Sequence, residues 1–300
     1  MILTAGLGTR LDPITRLVAK PAVPLGGSTL IEHILGWLVG QQIRDVVLNL
    51  HHRPDTIAAA VGDGSHLGLA VRYSWEDPLL GSAGGPRHAL PLLASDPILI
   101  VNGDTLCNVA LAPLLERHHA SGADVTMAVV PNRRPDRYGG FVRGEDDAIV
   151  DVRPRGRSAG TWHFVGVQVA RRAIFESLPD GVPAETVSGI YRARMADPPG
   201  RIRADPVDAE FLDIGTPEDY LATALRLGTA ARDTGGSVIW PDARVAAGAC
   251  LERCIVAGDV QVPSGFGACD RLIVPAAVVR SGDAAEIVGD LALFPLRTHA

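Results

Sequence analysis

The first 24 residues of the chain read MILTAGLGTRLDPITRLVAKPAVP, and they decide how the rest of the sequence is interpreted. The apolar residues at positions 2–5 are typical of a β-strand that ends as it reaches Gly6 and Gly8. A strand that runs into a glycine-rich turn presents backbone N–H groups that can bind an anion. The two glycines carry no Cβ, so a ligand can approach the backbone closely. The opening segment therefore predicts a phosphate-binding turn.

Two cations follow this turn. The 28 basic residues of the chain are 27 arginines and a single lysine, Lys20. Where arginine has taken almost every basic position, the one remaining lysine is a candidate for a site that needs a compact point charge. Arg10 can bind two phosphate oxygens at once through its planar guanidinium, and Lys20 can neutralise one more. Together the turn and its two cations suit a polyphosphate.

Three interpretations of the turn can be compared on residue types alone, and the sequence lacks a required residue for two of them. A dinucleotide-binding fingerprint requires a third glycine at position 11, where Leu11 stands. A P-loop requires a Gly-Lys pair followed by Ser or Thr, and the sequence contains no such pair. The third interpretation is an ordinary tight turn with surface cations.

Two aspartates stand directly after strand-like segments. Asp104 follows the apolar run at residues 97–101, and Asp213 precedes the sequence Ile-Gly-Thr-Pro. In open α/β sheets, ligands bind at the carboxyl ends of the strands. Mg²⁺ prefers carboxylate, phosphate and water oxygens. The two aspartates are therefore candidate ligands of one Mg²⁺, although either could instead be a turn or helix-capping residue.

Strand-like and helix-like segments alternate through about residue 225. We predict strands at 45–50, 70–75, 97–101 and 124–130, and helices at 30–38, 54–61, 85–93 and 111–119. Thr29 and Glu32 form a capping box before the first helix, and Thr216 caps a helix that begins at Pro217. This alternation predicts an α/β fold, with a Rossmann-like, mainly parallel or mixed sheet flanked by helices.

Beyond residue 236 the apolar period changes. Ile239, Val245 and Leu251 fall six residues apart, with proline and glycine between them. This period predicts about two short coils of a parallel β-helix. We therefore expect a catalytic domain at 1–227, a linker at 228–236 and a β-helical C-terminal region at 237–300. The last 25 residues show no clear pattern.

Charge and composition exclude several classes of function. The formal net charge of −6 argues against a dedicated nucleic-acid binder, because such a protein needs an excess of basic residues to bind the phosphate backbone. No apolar run approaches the ~18 residues of a membrane helix, and the start lacks the basic region of a signal peptide. The four cysteines have neither disulfide-framework nor zinc-ligand spacing. We therefore expect a cytoplasmic protein with free thiols and with no nucleic-acid or membrane partner.

Residues 3–24, called the signature segment below, resemble the opening motif of the sugar-1-phosphate nucleotidylyltransferases, approximately LAxGxGTRLxPxTxxxxKPxxP. Four further motifs of that family are similar to stretches of this chain: GSAGG at 81–85, NGD at 102–104, YGG at 138–140 and DIGTPEDY at 213–220. The resemblance covers about residues 1–227. The six-residue repeat resembles the left-handed parallel β-helix that many members carry as a C-terminal appendage. The family transfers a nucleotidyl group from an NTP to a sugar 1-phosphate and releases pyrophosphate.

The resemblance implies a role for each matching residue. The implied catalytic residues are Arg10, Lys20 and Asp104. The implied nucleotide-binding residues are Ala5, Gly6, Gly8, Thr9, Glu76, Ser82 and Gly84, the last three near the nucleobase. The implied sugar-binding residues are Gly139, Asp151 and Gly166. The implied Mg²⁺ ligands are Asp104 and Asp213.

The chain departs from the family pattern in the region that contacts the sugar. Val152 stands where the family often has a glutamate that contacts the sugar, and Arg153 replaces a lysine. Asp151 could substitute from the neighbouring position, but adjacent residues of a strand face opposite ways. The family's Asn-Ala-Gly is Phe-Val-Gly here, ending at Gly166.

Two substrate pairs fit the resemblance. Residues 74–84 resemble mannose-1-phosphate guanylyltransferases, and a carboxylate there could accept hydrogen bonds from guanine. Residues 62–74 and 164–166 look equally like N-acetylmuramate-1-phosphate uridylyltransferases. The C-terminal repeat favours GTP and mannose 1-phosphate. The alternative is uridylyl or thymidylyl transfer to N-acetylmuramate or another hexose 1-phosphate.

Two further expectations concern activity and assembly. Some members of the family are catalytically silent regulatory subunits that have lost phosphate or metal residues, whereas Arg10, Lys20, Asp104 and Asp213 are all present here. We therefore expect an active enzyme, with a regulatory subunit as the alternative from another class. The C-terminal region is a candidate surface for a homo-oligomer.

Overall fold

The computed structural model describes residues 1–195, 200–228 and 234–296. Two compact units are built from interleaved segments of the chain. Unit 1 contains residues 1–6, 34–54 and 61–211, and unit 2 contains residues 7–33, 55–60 and 212–300. Residues 229–233 of the predicted linker lie outside the described residues. The boundaries predicted from sequence, at 227 and 237, stay a prediction.

Helices and strands are numbered in chain order. The helices are α1 (Leu30–Gly40), α2 (Pro54–Val61), α3 (Gly81–Ala89), α4 (Leu111–Ser121), α5 (Ala173–Glu176), α6 (Tyr191–Met195) and α7 (Pro217–Arg226). The strands of the first half are β1 (Ile2–Leu3), β2 (Pro24–Leu25), β3 (Ser28–Thr29), β4 (Asp45–Leu50), β5 (Ala70–Trp75), β6 (Ile98–Asn102), β7 (Thr105–Cys107), β8 (Val125–Pro131), β9 (Gly140–Arg143) and β10 (Ile149–Arg153). The later strands are β11 (Trp162–Ala170), β12 (Ile202–Pro206), β13 (Phe211–Asp213), β14 (Val238–Ile239), β15 (Arg244–Val245), β16 (Cys250–Glu252), β17 (Ile255–Val256), β18 (Gln261–Val262), β19 (Gly267–Cys269), β20 (Arg271–Pro275), β21 (Glu286–Val288) and β22 (Leu291–Pro295).

Unit 1 is built on a nine-stranded mixed sheet. Its central part is parallel, because β1 lies between β4 and β6 and β5 follows on the far side of β4. β11 pairs antiparallel with β6, β8 and β9, and β12 pairs parallel with β8. The prediction of an α/β fold with a mainly parallel or mixed sheet is confirmed. Because β1 and β6 are parallel neighbours, their carboxyl ends lie at the same edge of the sheet.

Local sequence signals set most element boundaries. The Thr29 backbone N–H donates to Glu32 Oε2 at 2.7 Å, and the Glu32 N–H donates to Thr29 Oγ1 at 3.4 Å, so the predicted capping box precedes α1. Thr216 and Asp219 form the same arrangement before α7. The limits of β4, α2 and β5 agree with the predicted 45–50, 54–61 and 70–75. α3 is different, since it begins at Gly81 instead of Gly85.

The main core of unit 1 lies between the sheet and its helices. Val125, Met127 and Val129 alternate inward along β8 and pack against Phe175 and Tyr191. The Tyr191 hydroxyl donates to Gln168 Oε1 at 2.9 Å, so its one polar atom is satisfied within the core. Strand β12 and helices α5 and α6 had no sequence prediction, because the pattern between 170 and 210 is irregular. These elements nevertheless complete one side of the core.

The C-terminal part of unit 2 is a short parallel β-helix. β14, β17 and β20 stack in parallel, as do β15 with β18 and β16 with β19. In the ladder, Ile239 pairs with Val256 and Val256 with Ile273, so equivalent residues recur every 17 positions along the chain. The predicted six-residue period is confirmed as the spacing between the three faces of one coil. The left-handed sense stays a prediction.

The last residues close the end of this β-helix. β21 and β22 form an antiparallel hairpin, and β22 also pairs antiparallel with β20. The parallel stack therefore ends in an antiparallel hairpin. Leu291 and Leu293 from β22 join the apolar interior with Val256 and Ile273. The hairpin covers apolar side chains that the last coil would otherwise expose. In the described part of the chain, no helix has the length and apolar character needed to cross a bilayer.

Candidate active site

Gly8 shapes the turn of the signature segment in unit 2. Its φ of +62° lies in the left-handed region, and a 3₁₀ turn at Thr9–Leu11 follows it. A Cβ at this position would lie 2.8 Å from Thr15 Cγ2 and 3.1 Å from Lys20 Cβ. Both the backbone conformation and the space therefore require glycine. The same closeness shows that the turn folds against the stem of Lys20.

The other predicted phosphate-binding residues differ in exposure. Ala5 is 2% exposed, whereas Gly6 is exposed and a Cβ there would meet nothing within 4 Å. Thr9 and Arg10 are exposed as well. Lys20 is 7% exposed, so its aliphatic stem is buried. The turn therefore combines open backbone and exposed side chains with one buried cation.

Gly215 brings Arg10 and Asp213 together in unit 2. A Cβ at Gly215 would lie 3.2 Å from Arg10 Nη1 and 3.3 Å from Asp213 Oδ2. The guanidinium and the carboxylate thus flank the same point of backbone, between β13 and the capping box of α7. The sequence assigned these residues to different tasks, and only the fold makes them neighbours.

Asp104 lies in unit 1, two residues after the end of β6. Leu3 pairs with Asn102 across the parallel β1–β6 ladder. A Cβ at Gly103 would lie 2.5 Å from the Leu3 carbonyl oxygen, so the chain passes the end of β1 at close range. The Thr105 hydroxyl donates to Asp104 Oδ1 at 3.1 Å. The half-buried Asp104 carboxylate therefore stands at the edge of the sheet where β1 leads into Gly6.

Gly166 lies beside this strand end. Its φ is +83°, and the β11 register is interrupted between Phe164 and Gln168. A Cβ on Gly166 would lie 3.1 Å from Asn102 Cβ. The structure therefore places this predicted sugar-binding glycine next to the Asn-Gly-Asp motif. A side chain here would be strained by backbone and space alike.

Glu76 is placed differently from the sequence prediction. It is 4% exposed, its Oε1 accepts a hydrogen bond from Asn49 Nδ2 at 2.7 Å, and its Oε2 accepts one from the Leu80 backbone N–H at 2.8 Å. The Asn49 Oδ1 in turn accepts from the Thr4 backbone N–H at 2.7 Å. The carboxylate thus connects three segments of unit 1. Buried inside this network, Glu76 shapes the turn before α3, and both of its oxygens accept hydrogen bonds from the protein itself.

Glu76→Ala is expected to lower the free energy of unfolding by about 2–4 kcal/mol, because Asn49 and the Leu80 N–H lose a buried acceptor. Urea denaturation measures this change. Glu116 on α4 is exposed and provides the matched control, with a shift within about 0.5 kcal/mol for Glu116→Ala. A Glu76→Ala protein of unchanged stability and altered nucleotide preference would return Glu76 to the base-contacting role.

Ser82 and Gly84 lie at the start of α3, against residues 182–186. The Ser82 hydroxyl donates to Glu185 Oε2 at 2.5 Å and accepts from the Thr186 backbone N–H at 2.9 Å. A Cβ on Gly84 would lie 2.7 Å from the Val182 carbonyl oxygen. The exposed Glu185 has no motif around it, so sequence reasoning missed it. It is a carboxylate next to the turn that the sequence assigned to the nucleobase.

Two predicted sugar contacts, Gly139 just before β9 and Asp151 on β10, are exposed. Gly139 packs against its neighbour strand, with a Cβ there 3.0 Å from the Arg153 carbonyl oxygen. Asp151 is exposed and pairs with Arg153 at 3.7 Å, while Val152 packs against the main core. Val152 thus takes the inward position, and Asp151 faces away from it, as the two-residue period requires.

Three aromatic rings stack beside Gly139. The His163 ring centroid lies 4.2 Å from that of Tyr138 and 4.9 Å from that of Phe211. Burial lowers the pKa of His163 below its usual 6.5, so its imidazole is neutral near pH 7. Sequence reasoning missed this stack because the three residues come from separate segments. It forms an apolar wall with polar edges, which suits one face of a sugar ring.

Asp104 and Asp213, the predicted metal ligands, are carboxylates, which is the donor type that a hard divalent cation prefers. Within 1–195, 200–228 and 234–296, no three His, Cys, Asp or Glu side chains are grouped in a way that could hold a metal. A dedicated protein cage is therefore absent from the described residues. Mg²⁺ commonly takes one or two carboxylates and completes its octahedron with phosphate oxygens and water. Asp104 and Asp213 supply carboxylates of this kind. The four cysteines are free thiols.

Comparisons with known proteins concern the family and the fold. The family model described as nucleotidyl transferase matches residues 1–229. A mannose-1-phosphate guanylyltransferase from Mycobacterium tuberculosis is 29% identical over 88% of this chain and 81% of its own length. A D-glycero-alpha-D-manno-heptose 1-phosphate guanylyltransferase from Aneurinibacillus thermoaerophilus is 31% identical over 73% of this chain and 94% of its own length.

A solved structure shows the same fold. HddC from Yersinia pseudotuberculosis, complexed with GMP-PN, superposes with a TM-score of 0.65 at 24% identity, over 75% of this chain and 97% of its own. The family match spans the glycine-rich turn, Lys20 and both aspartates. The chain therefore belongs to the nucleotidyl transferase family.

Proposed function

We propose that the protein transfers a guanylyl group from GTP to a manno-configured sugar 1-phosphate, giving a GDP-sugar and pyrophosphate. The observation that carries the reaction class is the glycine-rich turn with its two cations, Arg10 beside Asp213 and the stem of Lys20 beside Gly8. The guanine preference is supported by the two relatives named above, both of which are guanylyltransferases. Both names also contain a manno-configured sugar. Mannose 1-phosphate is the first candidate and a manno-heptose 1-phosphate the second.

The proposal assigns the triphosphate to the signature segment. The open backbone at Gly6 and the turn at Gly8 and Thr9 would bind phosphate oxygens through N–H groups. Arg10 would bind two oxygens through its guanidinium, and Lys20 would act as a point charge near the reacting phosphorus. We assign catalysis to a domain at residues 1–227, and we assign residues 237–300 to the β-helical C-terminal appendage.

The reaction needs no general base. A sugar 1-phosphate is already anionic at pH 7, so one of its oxygens can attack the α-phosphorus of GTP directly. The new P–O bond forms in line with the bond between the α-phosphorus and the oxygen that bridges to the β-phosphate. This older bond breaks, and pyrophosphate leaves with the electron pair. Two anions must approach each other, and the charges of Arg10 and Lys20 offset their repulsion and stabilise the charge of the transition state.

A divalent cation, which we propose is Mg²⁺, would be held by Asp104 and Asp213. When bound, it would neutralise phosphate charge and help to fix the phosphates for in-line displacement. The Thr105 hydroxyl donates to Asp104 Oδ1 and holds that carboxylate in place. The guanidinium of Arg10 lies next to the carboxylate of Asp213, the second proposed ligand. In unit 2, phosphate oxygens would then find a cation, Arg10, next to one of the proposed metal ligands, Asp213.

The remaining residues would select base and sugar. Ser82 and Gly84 shape the turn assigned to the base. Gly166 beside Asn102, and Gly139 beside the stack of Tyr138 and His163, are the surfaces assigned to the sugar. Asp151 on the exposed face of β10 is a sugar contact that the chain offers in place of the family's glutamate.

Pyrophosphate release by the purified protein with Mg²⁺ tests this function. The panel combines GTP, UTP, dTTP, CTP and ATP with sugar 1-phosphates that include mannose, a manno-heptose, glucose and N-acetylated amino sugars. We expect turnover with GTP and a manno-configured sugar. Turnover with UTP or dTTP instead would overturn the base assignment. Absence of turnover in a protein that still binds NTP would support a regulatory subunit.

A further inference from the structure

Arg16 lies in the signature segment at a position that the family motif leaves free. The motif specifies Leu11, Pro13 and Thr15, but neither Asp12 nor Arg16. Arg16 nevertheless has a side chain only 8% exposed. An arginine is rarely buried without partners that justify its desolvation. Partners specific to this chain must therefore stabilise the buried guanidinium.

All five N–H donors of the Arg16 guanidinium have acceptors. Its Nε donates to Asp12 Oδ1 at 2.8 Å, and one Nη2 hydrogen donates to the second Asp12 oxygen. The other three donate to both oxygens of Asp283 and, at 2.9 Å, to the Val278 carbonyl oxygen. An arginine has five such donors in a fixed planar fork, so the set is complete. One guanidinium thus binds two carboxylates 271 residues apart in sequence, each through both oxygens.

The far end of this contact belongs to a fixed turn of the C-terminal region. The Arg280 backbone N–H donates to Asp283 Oδ2 at 2.7 Å, and the Asp283 N–H donates to the Arg280 carbonyl oxygen at 3.1 Å. The hydrogen bonds from Arg16 hold the pKa of Asp283 down at about 2. The carboxylate is therefore ionised at any pH used for an enzyme assay.

Two further contacts of unit 2 join the same two parts of the chain. Leu17 packs against the β-helix at Gly258, where a Cβ would lie 3.2 Å from Leu17 Cδ1. Trp240 Nε1 donates to the Tyr220 hydroxyl at 3.0 Å, and that hydroxyl donates to the Pro24 carbonyl oxygen. The signature segment is thus held at residues 16–17 and at its C-terminal end, Pro24. Arg16 supplies the contact nearest to Gly8 and Arg10.

The signature segment itself has little regular structure. It contains three 3₁₀ turns, at Thr9–Leu11, Ile14–Arg16 and Lys20–Ala22, and a two-residue strand, β2. Short 3₁₀ turns satisfy few backbone hydrogen bonds and are weak alone. A loop that must keep phosphate-binding N–H groups aligned needs support from outside itself. The contacts of Arg16 are positioned to give that support.

We propose that Arg16 is a positioning residue, through which Asp283 of the C-terminal region holds the signature segment in its phosphate-binding conformation. The inference rests on the function proposed above, because its kinetic effect is on the NTP. The C-terminal region is then part of the apparatus that binds the triphosphate. Arg16 itself touches no substrate.

Asp283→Asn tests the proposal, since it removes the negative charge and replaces one of the two oxygens that accept from Arg16 by an NH₂ group, which cannot accept. We expect KM for GTP to rise about tenfold or more, with kcat and the KM for the sugar 1-phosphate changed less than about threefold. Hydrogen exchange of backbone amides in residues 8–16 should become faster in the absence of substrate. Asp283→Glu keeps the charge and is expected to recover most of the lost affinity. Arg16→Lys has three donors and no planar fork, so it should resemble Asp283→Asn.

Asp270→Asn is the matched control. It breaks the ion pair with Arg253 at 2.9 Å within the same β-helix, and we expect wild-type KM and exchange in residues 8–16. Equal loss of activity in Asp283→Asn and Asp270→Asn, in proportion to lower Tm, would overturn the proposal in favour of general destabilisation. Wild-type exchange in residues 8–16 of folded Asp283→Asn would overturn it as well. The exchange experiment uses no substrate, so it remains decisive even if the wild-type protein transfers no nucleotide.

Discussion

Lys20→Ala is expected to lower kcat by about 10³-fold while the protein remains folded. A cation that stabilises the transition state of phosphoryl chemistry contributes about 10³-fold or more. Lys20 is the single lysine of the chain, its stem is buried and it packs against the turn at Gly8. Loss of that stem should reduce stability by only about 1–2 kcal/mol, which a domain of this size tolerates. Pyrophosphate release under saturating substrates measures the effect, with Tm and circular dichroism as measures of folding.

Two variants make this prediction specific. Lys20→Arg keeps the positive charge but replaces a compact ammonium group by a planar guanidinium. Because Lys20 is only 7% exposed, we expect this variant to recover no more than about a tenth of the wild-type activity. Arg72 on β5 is an exposed cation with a weak pair to Asp45 at 3.8 Å, and Arg72→Ala should leave kcat unchanged. A folded Lys20→Ala enzyme with near wild-type kcat would remove Lys20 from the site.

The second large effect is expected for Asp104→Ala. The carboxylate stands at the carboxyl end of β6, beside Gly103 and the end of β1. If it holds the divalent cation, its removal should lower kcat by about 10²–10³-fold, because the phosphates lose a fixed counter-charge. Asp104→Asn keeps the shape and the acceptor for the Thr105 hydroxyl. It should raise the Mg²⁺ concentration needed for half-maximal rate by about tenfold or more.

The metal titration separates this role from a structural one. A merely structural aspartate would change Tm in Asp104→Asn and leave the Mg²⁺ dependence as in the wild type. Asp45, exposed at the start of β4, provides a carboxylate control in the same unit. Asp45→Asn should change neither kcat nor Mg²⁺ dependence. Wild-type Mg²⁺ dependence in Asp104→Asn would therefore contradict the assignment.

Much of the fold follows from short-range patterns. The capping boxes before α1 and α7, and the limits of β4, α2 and β5, agree with the sequence because they depend on residues within a few positions of each other. The six-residue period of the β-helix is equally local. β12, α5, α6 and the β21–β22 hairpin lack such patterns. They form because they cover apolar surface left by elements far away in sequence.

The candidate site divides in the same way. Glycines and charged residues in specific motifs, such as Gly8, Lys20 and Asp104, could be recognised as a set without coordinates. The role of Glu76 could not be predicted in this way, because the residue type does not tell whether a carboxylate is buried or exposed. Its two oxygens are engaged by Asn49 and by the Leu80 N–H. The stack of Tyr138, His163 and Phe211 likewise comes from three separate segments.

The sequence by itself determined the family, the glycine-rich turn and the strand ends that carry acidic residues, because these depend on residue type and on spacing along the chain. Only the tertiary structure decided which side chains meet. It placed Arg10 and Asp213 around Gly215, Gly166 against Asn102, and Arg16 between Asp12 and Asp283. The physical reason is that a side chain's role depends on its partners and its exposure to water. Both are set by chain segments that the topology brings together from distant positions.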